Sequence, residues 1–191
     1  MTIQELFITS NEALLAVINK IADDQLKLEL TGSVPGSGSN VLSEIVKRHT
    51  YDDAWVPDVL AGKTAEEVGD VYEPLLTAED IKGDYAKYNQ RAIDAVRGFS
   101  DLDRTTHLSY GDFPAGEYLQ HIITFRVFRA YDIAKLIGAD PTMDPAFAQA
   151  LLDEYSPVIE NYRKMGVFPP PIEVADDASP QAKLLAMVGR S

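Results

Sequence analysis

Residues 111–138, GDFPAGEYLQHIITFRVFRAYDIAKLIG, decide how the rest of the chain is interpreted. The stretch predicts one long helix, with Asp112 as its cap, Pro114 in its first turn and Gly138 at its end. Its apolar residues recur every three or four positions, at Tyr118, Ile122, Phe125, Ile133 and Leu136. Arg129 stands in the middle of this core-facing stripe. Because a buried guanidinium needs a partner, we expect a site at its level.

The composition restricts the classes of function. The 191 residues suit one domain, and a net charge of −13 argues against binding to nucleic acids or to an anionic membrane surface. No apolar run is long enough to span a bilayer, and we expect no leader segment at the N-terminus. The absence of cysteine excludes disulfides, thiolate catalysis and Cys-based zinc sites. We therefore expect a cytoplasmic protein.

Other segments also have the periodicity of helices. They are residues 3–22, about 40–61, 78–98, a segment opened by Asp144-Pro145, and a short last helix capped by Ser179-Pro180. Pro157 should bend the fifth helix. Residues 31–40 are predicted to be a loop, residues 99–111 loop or extended, and residues 168–174 extended or polyproline.

No strand-rich region is present to build a sheet. The predicted fold class is therefore all-α, most simply a four-helix up-down bundle with extra C-terminal helices and a Pro-rich tail segment. We expect a single domain over residues 1–191, with a C-terminal extension that covers about 167–191.

A histidine and a carboxylate share the predicted buried face of the second helix. His49 and Asp53 lie one turn apart, so their side chains project from the same side. We predict a polar cluster of His49, Asp53 and Arg129 inside the bundle, with Asp52 as a second acceptor. Arg126, three residues before Arg129, either forms a two-Arg clamp with it or is solvated.

Three separated motifs resemble one protein family. They are His49 and Trp55 followed by LAGKTAEEV, the segment RAYDIAKLIG at 129–138, and the C-terminal pieces GVFPP, ASPQ and LL…GR. Together they resemble the DinB-like proteins related to the N-terminal domain of mycothiol-dependent maleylpyruvate isomerase. The resemblance implies a four-helix bundle that holds zinc or nickel with three side chains. One of these ligands is a His on the second helix.

The chain departs from the ligand set that this resemblance implies. His49 matches the first ligand, but Phe125 and Arg129 occupy the other two positions. Phe has no donor atom and Arg is permanently cationic, so neither binds a metal. His121, one turn before Phe125, could be recruited in their place. We predict that the family metal site is lost and that no cofactor is bound, with a divalent metal (Zn or Ni) expected only if the site survives in altered form.

The expected function is binding of a small polar or anionic molecule by a DinB-like protein with a degenerate metal site. The candidate pocket residues are His49, Asp53, Phe125, Arg126 and Arg129. Two alternatives stay open. One is a metal-dependent, thiol-linked isomerase or transferase of the maleylpyruvate isomerase type that uses His49, with His121 as a candidate second ligand in an unrecognised set. The other is a non-catalytic interaction protein in which the bundle forms a homodimer.

Overall fold

The structure is a computed structural model that describes residues 1–30 and 39–191, and it is mostly helical. The helices of the described residues are α1 Ile3–Ile18, α2 Leu42–Leu60, α3 Ala65–Val68, α4 Ile81–Arg97, α5 Ala115–Ile137, α6 Pro145–Tyr155, α7 Ile159–Lys164 and α8 Pro180–Met187. None of them is both long and apolar enough to cross a membrane. The helical class is thus confirmed. Residues 31–38 of the predicted loop at 31–40 lie outside the described residues.

Two compact units divide the described chain. The larger unit contains residues 2–30 and 39–140, and the C-terminal unit contains residues 141–191. In the larger unit α1 packs against α4 and α5, and α2 packs against α4. Its apolar core includes Leu14, Ile18, Leu42, Ile45, Val46, Tyr85 and Ile133. The long helices α1, α2, α4 and α5 therefore bury one face each in a common interior.

A β-hairpin interrupts the predicted all-α architecture. Strand β1 (Thr105–Leu108) pairs antiparallel with β2 (Gly111–Pro114), and the hydroxyl of buried Thr106 donates to the carbonyl of Phe113 at 2.8 Å. Residues 109 and 110 form the two-residue turn, a common hairpin connection. The predicted loop or extended segment at 99–111 thus contains β1 and reaches the first residue of β2.

The start of α5 corrects the predicted cap. Asp112 lies in β2, where its Oδ1 is 2.9 Å from Nδ1 of His107, and Pro114 precedes the helix instead of opening it. The amides of Ala115 and Gly116 donate to the carbonyls of Arg104 and Leu102 at 2.8 and 2.9 Å. Because main-chain carbonyls satisfy these first N–H groups, the helix needs no side-chain cap.

Other helix ends follow the local sequence. Gly138 adopts a left-handed conformation with φ of 73° and ends α5 as predicted. Asp144 and Ser179 cap α6 and α8, also as predicted. The predicted fifth helix is broken rather than bent, because the chain turns at residues 156–158, around Pro157, before α7 begins. In the C-terminal unit α6 packs against α8.

Candidate functional site

The buried face of α5 differs from the predicted one. Arg126 is fully buried, whereas Arg129 is half-buried and Phe125 is 42% exposed. The interior stripe runs through Ala115, Leu119, Ile122, Arg126, Ala130 and Ile133. This stripe has the same three- and four-residue spacing as the predicted one, so periodicity alone could not choose between them. The cluster of His49 and Asp53 therefore centres on Arg126, and Arg129 acts on His49 by its charge.

Arg126 connects α5 to α2. Its Nη2 donates to Oδ1 of Asp53 at 2.6 Å and to the carbonyl of His49 at 3.4 Å, and its Nη1 donates to Nδ1 of His49. Nη1 also lies 3.8 Å from Oδ2 of Asp52. The guanidinium is thus paired with one fully buried carboxylate and lies near a second, half-buried one.

Helices α1 and α4 complete the network. Asn89 Nδ2 donates to Asp53 Oδ2 at 3.2 Å and is 2.9 Å from Asn11 Oδ1 and 3.1 Å from the Tyr85 hydroxyl. Arg126 Nε reaches Asn11 Oδ1 at 3.4 Å, and Asn11 Nδ2 donates to the carbonyl of Phe7 at 3.0 Å. All four long helices therefore contribute to one buried polar network, which we define as Asn11, His49, Asp53, Tyr85, Asn89 and Arg126.

Burial and charge fix the protonation states in this network. Burial, together with the positive charges of Arg126, Arg129 and Arg48, holds the pKa of His49 well below its usual range. His49 is therefore neutral, and because its Nδ1 accepts from Arg126, its proton lies on Nε2. Burial lowers the pKa of Arg126, but the combined effects of Asp53, Tyr85 and Asp52 outweigh burial and raise it. Arg126 is therefore a permanent cation.

Asp52 differs from its neighbour in the network. Its side chain is 39% exposed. Desolvation by the surrounding protein raises the pKa of Asp52 to about 6, and the charge of Asp53 adds to this effect while Arg126 opposes it. Asp52 also lines a pocket, together with Tyr51, Trp55 and Val59 of the same helix.

The pocket has a volume of about 290 Å³ and lies between α2, α3, α5 and the hairpin turn. Its aromatic lining consists of Tyr51, Trp55, Tyr110, Tyr118 and Phe125. Its other lining residues are Asp52, Val59, Ala65, His107, Leu108, Ser109, His121 and Ile122. A small concave site with aromatic walls and a few polar groups is the usual form of a small-molecule site.

Two histidines lie on the hairpin side of this pocket. His121 Nδ1 is 3.2 Å from the Tyr110 hydroxyl, and its Nε2 is 3.8 Å from Glu117. Burial lowers the pKa of His121 although Glu117 opposes the shift, so the imidazole is neutral at pH 7. His107 is held by Asp112 across the hairpin. These contacts fix both rings in place around the pocket.

The predicted site residues are therefore divided between the buried polar network and the neighbouring pocket. His49, Asp53 and Arg126 lie in the buried network, Phe125 lines the pocket, and Arg129 acts on His49 by its charge. His49 and the proposed substitute His121 are not brought together, because His121 belongs to the pocket wall.

The residues present do not fit the metal that the resemblance implies. Neutral His49 uses its Nδ1 lone pair to accept from Arg126 and carries a proton on Nε2, so it has no lone pair for a metal. Phe125 and Arg129 supply no ligand atoms. Within residues 1–30 and 39–191, no group of three or more His, Cys, Asp or Glu side chains could hold a metal ion.

The sequence did not predict several residues of the buried network and of the pocket. Asn11 and Asn89 are buried polar residues that stand on apolar helical stripes, between Phe7 and Leu14 and between Tyr85 and Ile93. The pattern that drew attention to Arg129, a polar residue on a core stripe, could have found both asparagines. The pocket residues of the hairpin had no comparable signal, because the strand pairing was not predicted.

Comparison of the chain with protein-family models, with curated proteins and with solved structures finds no match. What this protein does must therefore be inferred from the geometry of the network and the pocket.

Proposed function

We propose that this chain binds a small molecule in the pocket between α2, α3, α5 and the hairpin turn. We further propose that its larger unit is a DinB-like four-helix up-down bundle, in which the Arg126 network replaces the family's metal site. The protein would act in the cytoplasm. The main observation in support is a pocket of about 290 Å³ with aromatic walls. One half-exposed carboxylate, that of Asp52, lines this pocket and lies next to the network.

The rigidity of the pocket walls supports this proposal. Asp52 follows Tyr51 and precedes Asp53 on α2, and the network holds α2 against α5 through Arg126. The Tyr51 hydroxyl is fixed by Glu73 at 3.1 Å, and the Tyr51 and Trp55 rings lie 6.1 Å apart. A site whose side chains are held before binding loses less entropy when a ligand binds.

The same geometry speaks against an anionic ligand held by Arg126. The guanidinium is fully buried and already paired with Asp53 at 2.6 Å, and Arg126 is not among the lining residues of the pocket. An anion would have to displace Asp53 and leave that carboxylate buried without its cation, which is strongly unfavourable. A polar or cationic molecule meets no such obstacle.

A thermal-shift screen of small metabolites with a matched pair of variants tests the proposal. Ala65→Trp places an indole in the pocket from its exposed rim, while Glu66→Trp places the same side chain one residue away, outside the lining. A ligand at 100 times its Kd stabilises the folded state by about 2.7 kcal/mol, which raises the Tm of a chain of this size by roughly 5 to 10 °C.

We expect the wild type and Glu66→Trp to be stabilised by the same compounds and Ala65→Trp to lose the effect. A screen without any stabilising compound, or compounds that stabilise all three proteins equally, would contradict binding in this pocket. Elemental analysis of tag-free protein tests the replaced metal site separately. We expect less than about a tenth of an equivalent of zinc or nickel, and one equivalent would favour the metal-dependent enzyme.

A further inference from the structure

Arg126 has two carboxylates within 4 Å of its guanidinium, at unequal distances. Asp53 lies 2.6 Å from the guanidinium and neutralises it, and Asn89 donates to the second oxygen of Asp53. Asp52 adds a second carboxylate, 3.8 Å from the same guanidinium. Asp53 is the nearer partner of the guanidinium and Asp52 the more distant one, and Arg48 and Arg129 act on this region by their charge without lining the pocket. Asp52 is the carboxylate of the two that lines the pocket.

The described pocket lining offers this charge no positive partner. It contains no Lys or Arg, and His121 is neutral because burial lowers its pKa. The exposed Arg48 attracts the Asp52 carboxylate, but it does not line the pocket. Such an arrangement favours a ligand that brings the missing positive charge.

The aromatic walls select the kind of cation. Tyr51 and Trp55 extend from α2 on either side of Asp52 in the chain, and Tyr118 and Phe125 line the pocket from α5. Tyr110 completes the lining from the hairpin turn. Aromatic rings attract organic cations through their electron-rich faces and bury the methyl or methylene groups that carry the charge. A hydrated metal ion would gain little from such walls, which offer few oxygen ligands.

We propose that the pocket recognises a small organic monocation, a quaternary ammonium or an alkylated amine, with its charged nitrogen against Asp52 and within the aromatic walls. This inference rests on the proposed function, because it names the ligand class of the same pocket. The ligand's charge pairs with the Asp52 carboxylate, and the rings replace the water that surrounds the cation in solution.

Calorimetric titration with three compounds of one shape tests the ligand class. Choline is the cation, and its neutral isostere has a quaternary carbon in place of the nitrogen. The anion is tert-butylacetate, the carboxylate of tert-butylacetic acid. We expect choline to bind about tenfold or more tightly than the neutral isostere, and tert-butylacetate not to bind. The protein is the full chain, titrated at pH 8, where Asp52 is ionised.

Two variants locate the effect. Asp52→Asn keeps the shape of the side chain and removes its charge, and we expect choline affinity to fall about tenfold while the isostere binds as before. Asp94→Asn removes an equal charge from an exposed position on α4 that does not line the pocket, and it should leave both affinities unchanged. The Tm of each variant shows that it is folded.

The outcomes separate this inference from the proposed function. Equal affinities for choline and its isostere would overturn the cation class and keep small-molecule binding in the pocket. Tighter binding of tert-butylacetate would overturn it in favour of an anion. No binding of choline by folded protein up to millimolar concentration would overturn it as well, and the metabolite screen with Ala65→Trp then decides whether the pocket binds anything.

Discussion

Asp52 and Asp53 are neighbours in the chain with opposite surroundings. Asp53 is fully buried, pairs with Arg126 at 2.6 Å and accepts from Asn89 at 3.2 Å. Asp52 is 39% exposed, lies 3.8 Å from the same guanidinium and lines the pocket. A helix turns by about 100° per residue, so one carboxylate reaches the interior and the next reaches the pocket. The fold therefore pairs one carboxylate in the interior and leaves the other at the pocket, and desolvation raises the pKa of both.

This difference separates a structural carboxylate from a functional one. The network needs Asp53, because without it Arg126 would be a buried cation with only the more distant Asp52 as a counter-charge. The network does not need the charge of Asp52, since Arg126 already has a partner. A charge that the fold disfavours and does not use is characteristic of a binding site, where local rules of stability are broken for function.

Removal of the Arg126 guanidinium should have the largest effect, and it tests the role of buried Asp53. Arg126→Met leaves Asp53 buried without its partner, so we expect the free energy of unfolding to fall by about 3 to 5 kcal/mol. Denaturation in urea measures the change. Arg97→Met is the matched control, because Arg97 is exposed and its ion pair among the described residues is with exposed Asp94, so it should change stability by less than about 0.5 kcal/mol. A loss below about 1 kcal/mol in Arg126→Met would show that Arg126 is hydrated.

Replacing both members of the ion pair sharpens the assignment of Asp53. Arg126→Met combined with Asp53→Leu removes both charges, so the double variant should be more stable than the sum of the single losses predicts. We expect a coupling energy of about 2 kcal/mol, from the same urea experiments. Additive effects would mean that Asp53 is not the principal partner of Arg126.

The contribution of α4 is smaller. Asn89→Ala removes the donor that serves Asp53 and Asn11, and we expect a loss of about 1 to 2 kcal/mol. Asn89 Oδ1 has no hydrogen-bond partner within the described residues, so the substitution also removes one unsatisfied group and the loss stays moderate. Gln90→Ala, at the next and exposed position, is the control and should be neutral. An equal loss in both variants would indicate a general effect on the helix.

For Asp52, at the pocket, we expect a substitution to stabilise the protein rather than destabilise it. Because the fold raises the pKa of Asp52 above that of the unfolded chain, the protonated form is favoured on folding. The stability gained in this way is present below the unfolded pKa and is lost as pH rises through about 6. Asp52→Asn should thus be more stable than the wild type by about 1 kcal/mol at pH 8, after allowance for solvent screening, and equal to it near pH 3.

Several groups face Asp52 and set this pH dependence. They are Arg126 and Tyr118 on α5, Tyr85 on α4, and Tyr51, Asp53 and Arg48 on α2. The tyrosines stay neutral below pH 8 because their pKa values are raised. Desolvation also raises the pKa of Asp53, so the difference between the wild type and Asp52→Asn identifies the part of the change that belongs to Asp52. Asp94→Asn should show no such pH-dependent gain, and an identical curve for both variants would remove Asp52 as the cause.

The sequence predicted the helical class, several helix ends and the presence of a buried Arg cluster with His49 and Asp53. It centred the cluster on Arg129 where the structure has Arg126, because the stripe through Arg129 and the stripe through Arg126 have the same spacing. The packing of α1 against α5 and the bonds of Arg126 to α2 decide between them, and that information is tertiary. The pocket was out of reach for a similar reason, since Tyr110 and His121 meet only because the hairpin forms.

The most direct test is a pH titration of the Asp52 carboxyl group, monitored by NMR of carbon-13-labelled protein. The signal that is absent from the spectrum of Asp52→Asn is assigned to Asp52. We predict a midpoint of about 6, which falls when choline is added because the bound cation favours the charged carboxylate. A midpoint near 4, the ordinary value for Asp, without any response to choline would contradict the account. In that case Asp52 would be an ordinary surface carboxylate that does not pair with a cation in the pocket.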